Sequence, residues 1–204
     1  MKKLKLSQAE IDKLVVADRR GVLPTVYGVA RNDVCFQVSI NLKLCWQYKI
    51  WCSMLQRCFD QKEKGRHPRY NHTNCCAEWL SFGNFLEWVN KETEYTGRQI
   101  GFELDKDILF KGNQVYSKDN CCFVPKEINM LIRDVFTGRY KEKLRGKYRV
   151  QNMGKHVGYF DTPEEAFLAY KVAKEAQIKA VANQHKDVLK PAVYESLMNW
   201  EIEP

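Results

Sequence analysis

The chain has 204 residues, 45% of them hydrophobic and 28% charged, the mix of a folded protein rather than a disordered one. Its 33 lysines and arginines against 25 acids leave a net charge of +8, which points first to a polyanionic partner such as nucleic acid. No apolar run approaches the roughly 20 residues of a membrane span, so no membrane partner is expected.

The basic start Met1-Lys2-Lys3-Leu4-Lys5 is followed by Gln8, Glu10 and Asp12, where a signal peptide needs an apolar core. A cytoplasmic location is therefore expected. The eight cysteines are then expected as thiols or metal ligands before disulfides.

In chain order, Ser7 with Glu10 fits a capping box, and Ile11, Leu14 and Val15 continue a helical stripe that Gly21 would end. Thr25 to Ser39 reads as a short hairpin around Arg31-Asn32-Asp33. Trp46, Tyr48, Trp51, Met54, Leu55 and Phe59 recur at helical spacing, and core packing is the expected use of these rings. Lys62 to Arg69 reads as a basic loop that Pro68 breaks. A second helix is predicted over Ala77 to Asn90, with Trp79, Phe82, Phe85, Leu86 and Val89 on one side.

Leu104 to Leu109 and Tyr116 to Val124 read as a hairpin, or as two extended arms around the turn Lys111-Gly112-Asn113. A helix through Ile128, Leu131 and Ile132 follows Pro125. Tyr148 and Val150 face Val157 and Tyr159 across a turn at Met153-Gly154-Lys155, which predicts a hairpin. Thr162-Pro163-Glu164-Glu165 carries three start signals of a helix, which then runs to about Ala182 with a small alanine face.

Three features carry chemistry. Arg139, Lys141, Lys143, Arg145, Lys147 and Arg149 occupy alternate positions, so an extended chain would line six cations on one side. Such a row suits a phosphate backbone and gives salt-dependent affinity without base readout. Asp105, Asp107, Asn113, Asn120 and Asn129 form a carboxylate and amide set. Asp105 and Asn129 can supply hard oxygen ligands to Mg²⁺ or another divalent cation if the loop folds back on the helix. Cys58, Cys76 and Cys121 are candidates for a structural Zn²⁺, although no Cys-x-x-Cys pair is present and buried small thiols are the plainer reading.

Trp51-x-x-Met54-x-x-Arg57-Cys58, Cys76-x-Glu78-Trp79-x-x-Phe82-x-x-Phe85, Leu104-Asp105-Lys106, Tyr116-Ser117 and Asn120-Cys121 together resemble the HNH-type endonucleases of bacteriophages, many of them homing enzymes. Lys147-Tyr148-Arg149-Val150, Val157 to Thr162, Glu164-Glu165-Ala166 and Ala169-Tyr170 resemble the plant ethylene-response-factor type of DNA-binding domain, a module also fused behind phage HNH nucleases. The first resemblance implies a ββα-metal site. Asp105 and Asn129 fall at metal-ligand positions, Lys106 where a general-base histidine usually stands, and Asn120 where an asparagine orients that base. The second implies a three-stranded antiparallel sheet in the major groove, backed by a helix. Arg145, Lys147 and Arg149 would contact DNA, with Lys155 and His156 at the hairpin tip.

A lysine at the base position departs from the pattern, since an ammonium takes no proton from water. Asp107 is the other candidate base. The expected fold is α+β: an N-terminal helix and hairpin element over 1–45, an HNH-like ββα-metal domain over 46–137, and a basic linker with the small sheet and helix over 138–204. The expected function is metal-dependent cleavage of double-stranded DNA in a phage-infected host's cytoplasm. The alternatives are a DNA-binding protein or repressor without cleavage, and a protein-binding factor acting through the aromatic middle segment.

Overall fold

The computed structural model describes residues 25–96, 101–133, 143–144 and 146–203. The expected helix after Ser7 and the cations Arg139, Lys141 and Arg145 lie outside them. The described residues are α+β and form two compact units that interleave along the chain. One runs up to Glu94 and resumes over Phe110–Cys121; the other takes Tyr95–Leu109 and the chain from Cys122 onward. The stretch 46–137, expected as one domain, is thus divided between them.

The first unit opens with two miniature hairpins, β1 (Thr25–Val26) with β2 (Ala30–Arg31) and β3 (Ser39–Ile40) with β4 (Lys43–Leu44). Their turns use consecutive positive φ angles, 55° and 75° at Tyr27-Gly28 and 50° and 63° at Asn41-Leu42. Paired positive φ angles suit tight hairpin turns, here with three residues between Val26 and Ala30 and two between Ile40 and Lys43. The expected turn at Arg31-Asn32-Asp33 is therefore displaced. Asp33 is instead spent on a distant helix start, accepting from the Ser81 hydroxyl at 2.6 Å and the Gly83 amide at 2.8 Å.

Helix α1 (Trp46–Phe59) buries Trp51, Met54, Leu55 and Cys58, the i, i+3, i+4, i+7 stripe of an amphipathic helix. The expected basic loop is also helical: α2 (Gln61–Arg66) starts because the Asp60 side chain accepts from the Lys62 and Glu63 amides. Strand β5 (Asn74–Cys75) precedes a 3-10 turn at Ala77–Leu80 and helix α3 (Phe82–Thr96). The aromatic residues pack as a core. The Trp51 indole N–H donates to the Trp79 carbonyl at 2.7 Å, and Trp79 meets Phe85 edge-on and Trp88 at centroid distances of 5.0 and 4.6 Å. Burying such rings stabilises the fold by about 1.5–3 kcal/mol each.

The second unit begins with β6 (Phe102–Asp105). β7 (Val115–Tyr116) belongs to the first unit, where it pairs in parallel with β5. β6 pairs antiparallel with β8 (Cys122–Pro125), from Phe102 opposite Pro125 to Asp105 opposite Cys122. Helix α4 (Lys126–Arg133) follows at once, so Pro125 closes a strand where it was expected to open a helix.

A three-stranded antiparallel sheet comes next, with β10 (Lys147–Asn152) between β9 (Lys143–Leu144) and β11 (Lys155–Phe160). Met153 and Gly154, at φ 47° and 79°, make the tight turn. Helix α5 (Pro163–Gln184) starts with the expected capping box: Thr162 accepts from the Glu165 amide, and Glu165 reaches back to the Thr162 amide. Its fully buried Ala166 and Ala182 let the helix sit close, and the Asn152 side chain reaches the Ala173 carbonyl at 3.2 Å.

Val150, Tyr170, Ile178 and Val181 share one apolar core with Ile128, Leu131 and Ile132 of α4. The last element, α6 (Pro191–Met198), lies beyond the helix expected to end near Ala182. It adds Val193 and Leu197 to that core, and the tail beyond it adds Trp200 and Ile202. The tail is tied to α5 by Lys171 donating to the Ile202 carbonyl and Glu175 accepting from its amide.

Candidate metal and nucleic-acid sites

In β6, residues 103 and 105 share one side of the strand while Phe102 and Leu104 point to the other. Both apolar residues are buried, which fixes the orientation of the two acids. Asp105 is itself buried at 7% exposure. Its Oδ1 accepts from the Asp107 amide at 2.7 Å and the Ile108 amide at 2.8 Å, which folds the chain after β6 into a tight turn. Both bonds fall on one oxygen, so Oδ2 carries the remaining capacity to bind a cation. Burial raises the Asp105 carboxyl above its ordinary value, and the two backbone bonds oppose that shift.

Asn129 lies on the first turns of α4, buried beside Ile128. Its Nδ2 donates to Oε2 of Glu103. That bond commits the amide nitrogen and leaves the amide oxygen as acceptor. The strand face of Glu103 and Asp105 is thus joined to α4 through Asn129. Glu103 was missed by sequence reasoning, although its place two residues before Asp105 in an alternating strand was a usable signal.

Lys106 is buried, and its ammonium lies 2.8 Å from Oδ1 of Asp107, whose side chain is 41% exposed. Of the two candidate bases, Asp107 is the one that faces water. Asn120 belongs to the first unit, where its amide nitrogen donates to Asn113 Oδ1 at 3.3 Å and its backbone to the Ser117 carbonyl.

Two carboxylates and an amide fit a hard divalent cation by donor type, since Mg²⁺ takes oxygen ligands and keeps part of its water shell. Among the described residues, no three His, Cys, Asp or Glu side chains converge as a metal-holding group. The cysteines are all free thiols. Cys58 shares a hydrogen bond with Cys75, a residue outside the expected zinc set. That bond, and then burial, push the Cys58 thiol up, while the same bond holds Cys75 down. Cys76 is half-buried and Cys121 buried.

The sheet β9–β10–β11 has two unlike faces. Tyr148, Val150 and Asn152 turn toward α5, with Tyr148 and Val150 in the core. Lys147, Arg149 and Gln151 alternate with them and take the outer face. Arg149 stands opposite the half-exposed Tyr159, and the His156 ring packs on Tyr159 at 4.8 Å between centroids. Arg149 Nε is buried without a hydrogen-bond partner. Lys147 bridges Asp161 at 3.1 Å with both side chains more than half exposed, a contact of little energy that an incoming phosphate can replace. Lys155 and His156 are exposed at the hairpin end.

In comparisons with family models, curated proteins and solved structures, nothing matches this chain. Among the described residues, no helix is long and apolar enough to cross a membrane.

Proposed function

We propose that the protein is an HNH-type, metal-dependent endonuclease of the phage kind that acts on double-stranded DNA. The observation that carries the reading is the β6–β8–α4 unit, with Glu103 and Asp105 on one strand face and Asn129 on the following helix bonded to Glu103. This is the order of parts in a ββα-metal site. Asp105 and Asn129 would hold the divalent ion, with Glu103 orienting Asn129. The ion, when bound, supplies Lewis-acid stabilisation of the phosphate and a more acidic water. Asp107 is placed to take a proton from water at its carboxylate, and the buried Lys106 ammonium holds that carboxylate in position. The outer face of β10 and β11 grips the duplex through Lys147, Arg149 and the hairpin tip.

A second reading, a DNA-binding protein without cleavage, is favoured by one observation: the residue at the base position, Lys106, is engaged by Asp107. Supercoiled plasmid incubated with Mg²⁺, Mn²⁺ or EDTA, beside a gel shift on the same DNA, separates the two. Metal-dependent nicking is expected. Binding that persists in EDTA with no nicking under any metal would replace the first reading by the second.

A further inference from the structure

Among the described residues, strand β11 is an edge of the three-stranded sheet, paired on one side only with β10. An open edge presents a row of unpaired backbone groups, and soluble proteins cover or blunt such rows. Beside this edge, between β11 and α5, runs an apolar groove of about 720 Å³ lined by Val157, Tyr159, Phe160, Leu168, Val172 and Ala173. Leu168 and Val172 stand one helical turn apart and are 59% and 68% exposed. Large aliphatic side chains held this far into water beside an unpaired strand mark a covered surface.

The charges along β11 say what covers it. Its first residues, Lys155 and His156, are basic, and the residues just past its end, Asp161 and Glu164, are acidic and exposed. The two ends lie about 20 Å apart along a six-residue strand. A second copy laid antiparallel brings each basic end against the other's acidic end, twice over, whereas a parallel copy would set like against like. The surface is complementary to itself, the requirement of a two-fold interface. A register centred on Gly158 brings the Lys155 end of one copy to the Asp161 end of the other.

We propose that β11 is a homodimer seam. Two copies pair edge to edge about a two-fold axis, forming one six-stranded sheet, and Leu168 and Val172 of the two α5 helices close over the junction. The bulge between Val150 and Gln151, where β11 carries Val157 as its extra residue, turns that side chain toward the groove. Both outer faces stay open, so the dimer doubles the cationic surface. The proposal depends on no part of the nuclease reading.

Sedimentation velocity on the full chain, over about 1–100 µM, tests it. The expected result is a species of twice the chain mass that Leu168→Asp with Val172→Asp shifts to monomer, raising the dissociation constant at least tenfold. Both positions are exposed, so the variant's far-UV circular dichroism should match that of the natural chain. A charge exchange serves as an independent check: Lys155→Glu or Asp161→Lys alone weakens the dimer, and the two together restore it. A natural chain that stays monomeric across the range overturns the proposal, as does a dimer that neither set of substitutions disturbs.

Discussion

The β6–β8–α4 corner and the outer face of β9–β11 belong to the same compact unit and handle charge in opposite ways. In the corner, polar groups are few and held: Asp105 is pinned by two amides, Asn129 by Glu103, Lys106 by Asp107. On the sheet, charge is spread over exposed cations whose contacts are weak, as between Lys147 and Asp161. Fixed buried groups are what a chemical step requires, because they need no reorganisation when charge develops. Mobile exposed cations are what a phosphate backbone requires, because affinity there comes from counterion release. On the proposed reading, that difference gives chemistry to one region and grip to the other.

That division predicts separable defects. Asn129→Ala should lower cleavage about 100-fold and Glu103→Ala about 10-fold, both without loss of DNA in a gel shift, since misplacing a metal ligand costs that much. If either variant loses binding and cleavage in parallel, the corner and the sheet are one surface. Conversely, Arg149→Ala should weaken DNA binding roughly tenfold, and Lys147→Ala should reduce the slope of log affinity on log salt by about 1. Neither should alter the single-turnover rate of saturated complex.

Burial of Asp105 gives a sharper version. Because its folded pKa is raised above the ordinary 3.8, the folded state binds that proton more tightly than the unfolded chain. The contribution to stability is present below the ordinary value and is lost as pH rises through the raised one. Asn at this position keeps the oxygen that accepts both amides and never ionises. In EDTA, Asp105→Asn should therefore melt higher than the natural chain, the gap opening as pH rises through that window. Mg²⁺ should raise the melting temperature of the natural chain and leave the variant unmoved. On the sheet side the smallest effect is expected from Thr162→Ala, which removes the α5 cap and should cost about 1 kcal/mol in urea unfolding while DNA binding persists.

How far the sequence disclosed this depends on how local the signal was. The Thr162 cap, the Met153-Gly154 turn and the α1 stripe are set by neighbours within a few residues, and each stands where the pattern placed it. The failures are tertiary. Asp33 looked like a turn residue, but its partners are Ser81 and Gly83, about fifty positions away. Lys62 to Arg66 looked like a loop because its charges hid a helix that Asp60 caps. Tyr116 looked like an arm of one hairpin, yet it pairs with Cys75 in the other unit while Asp105 pairs with Cys122. In the candidate site, Asp105, Lys106, Asp107 and Asn129 could be named from residue type and resemblance. Glu103 emerged only once strand pairing fixed its face and brought Asn129 to it.

On the proposed function, the Asp105 carboxylate serves a metal rather than the fold. Asp105→Asn tests it directly in a single-turnover nicking reaction with Mg²⁺ on DNA that the variant demonstrably binds. The expected result is bound DNA left intact, with a rate reduced at least about 100-fold, from a protein that melts no lower than the natural chain. Nicking by Asp105→Asn at the natural rate would contradict it.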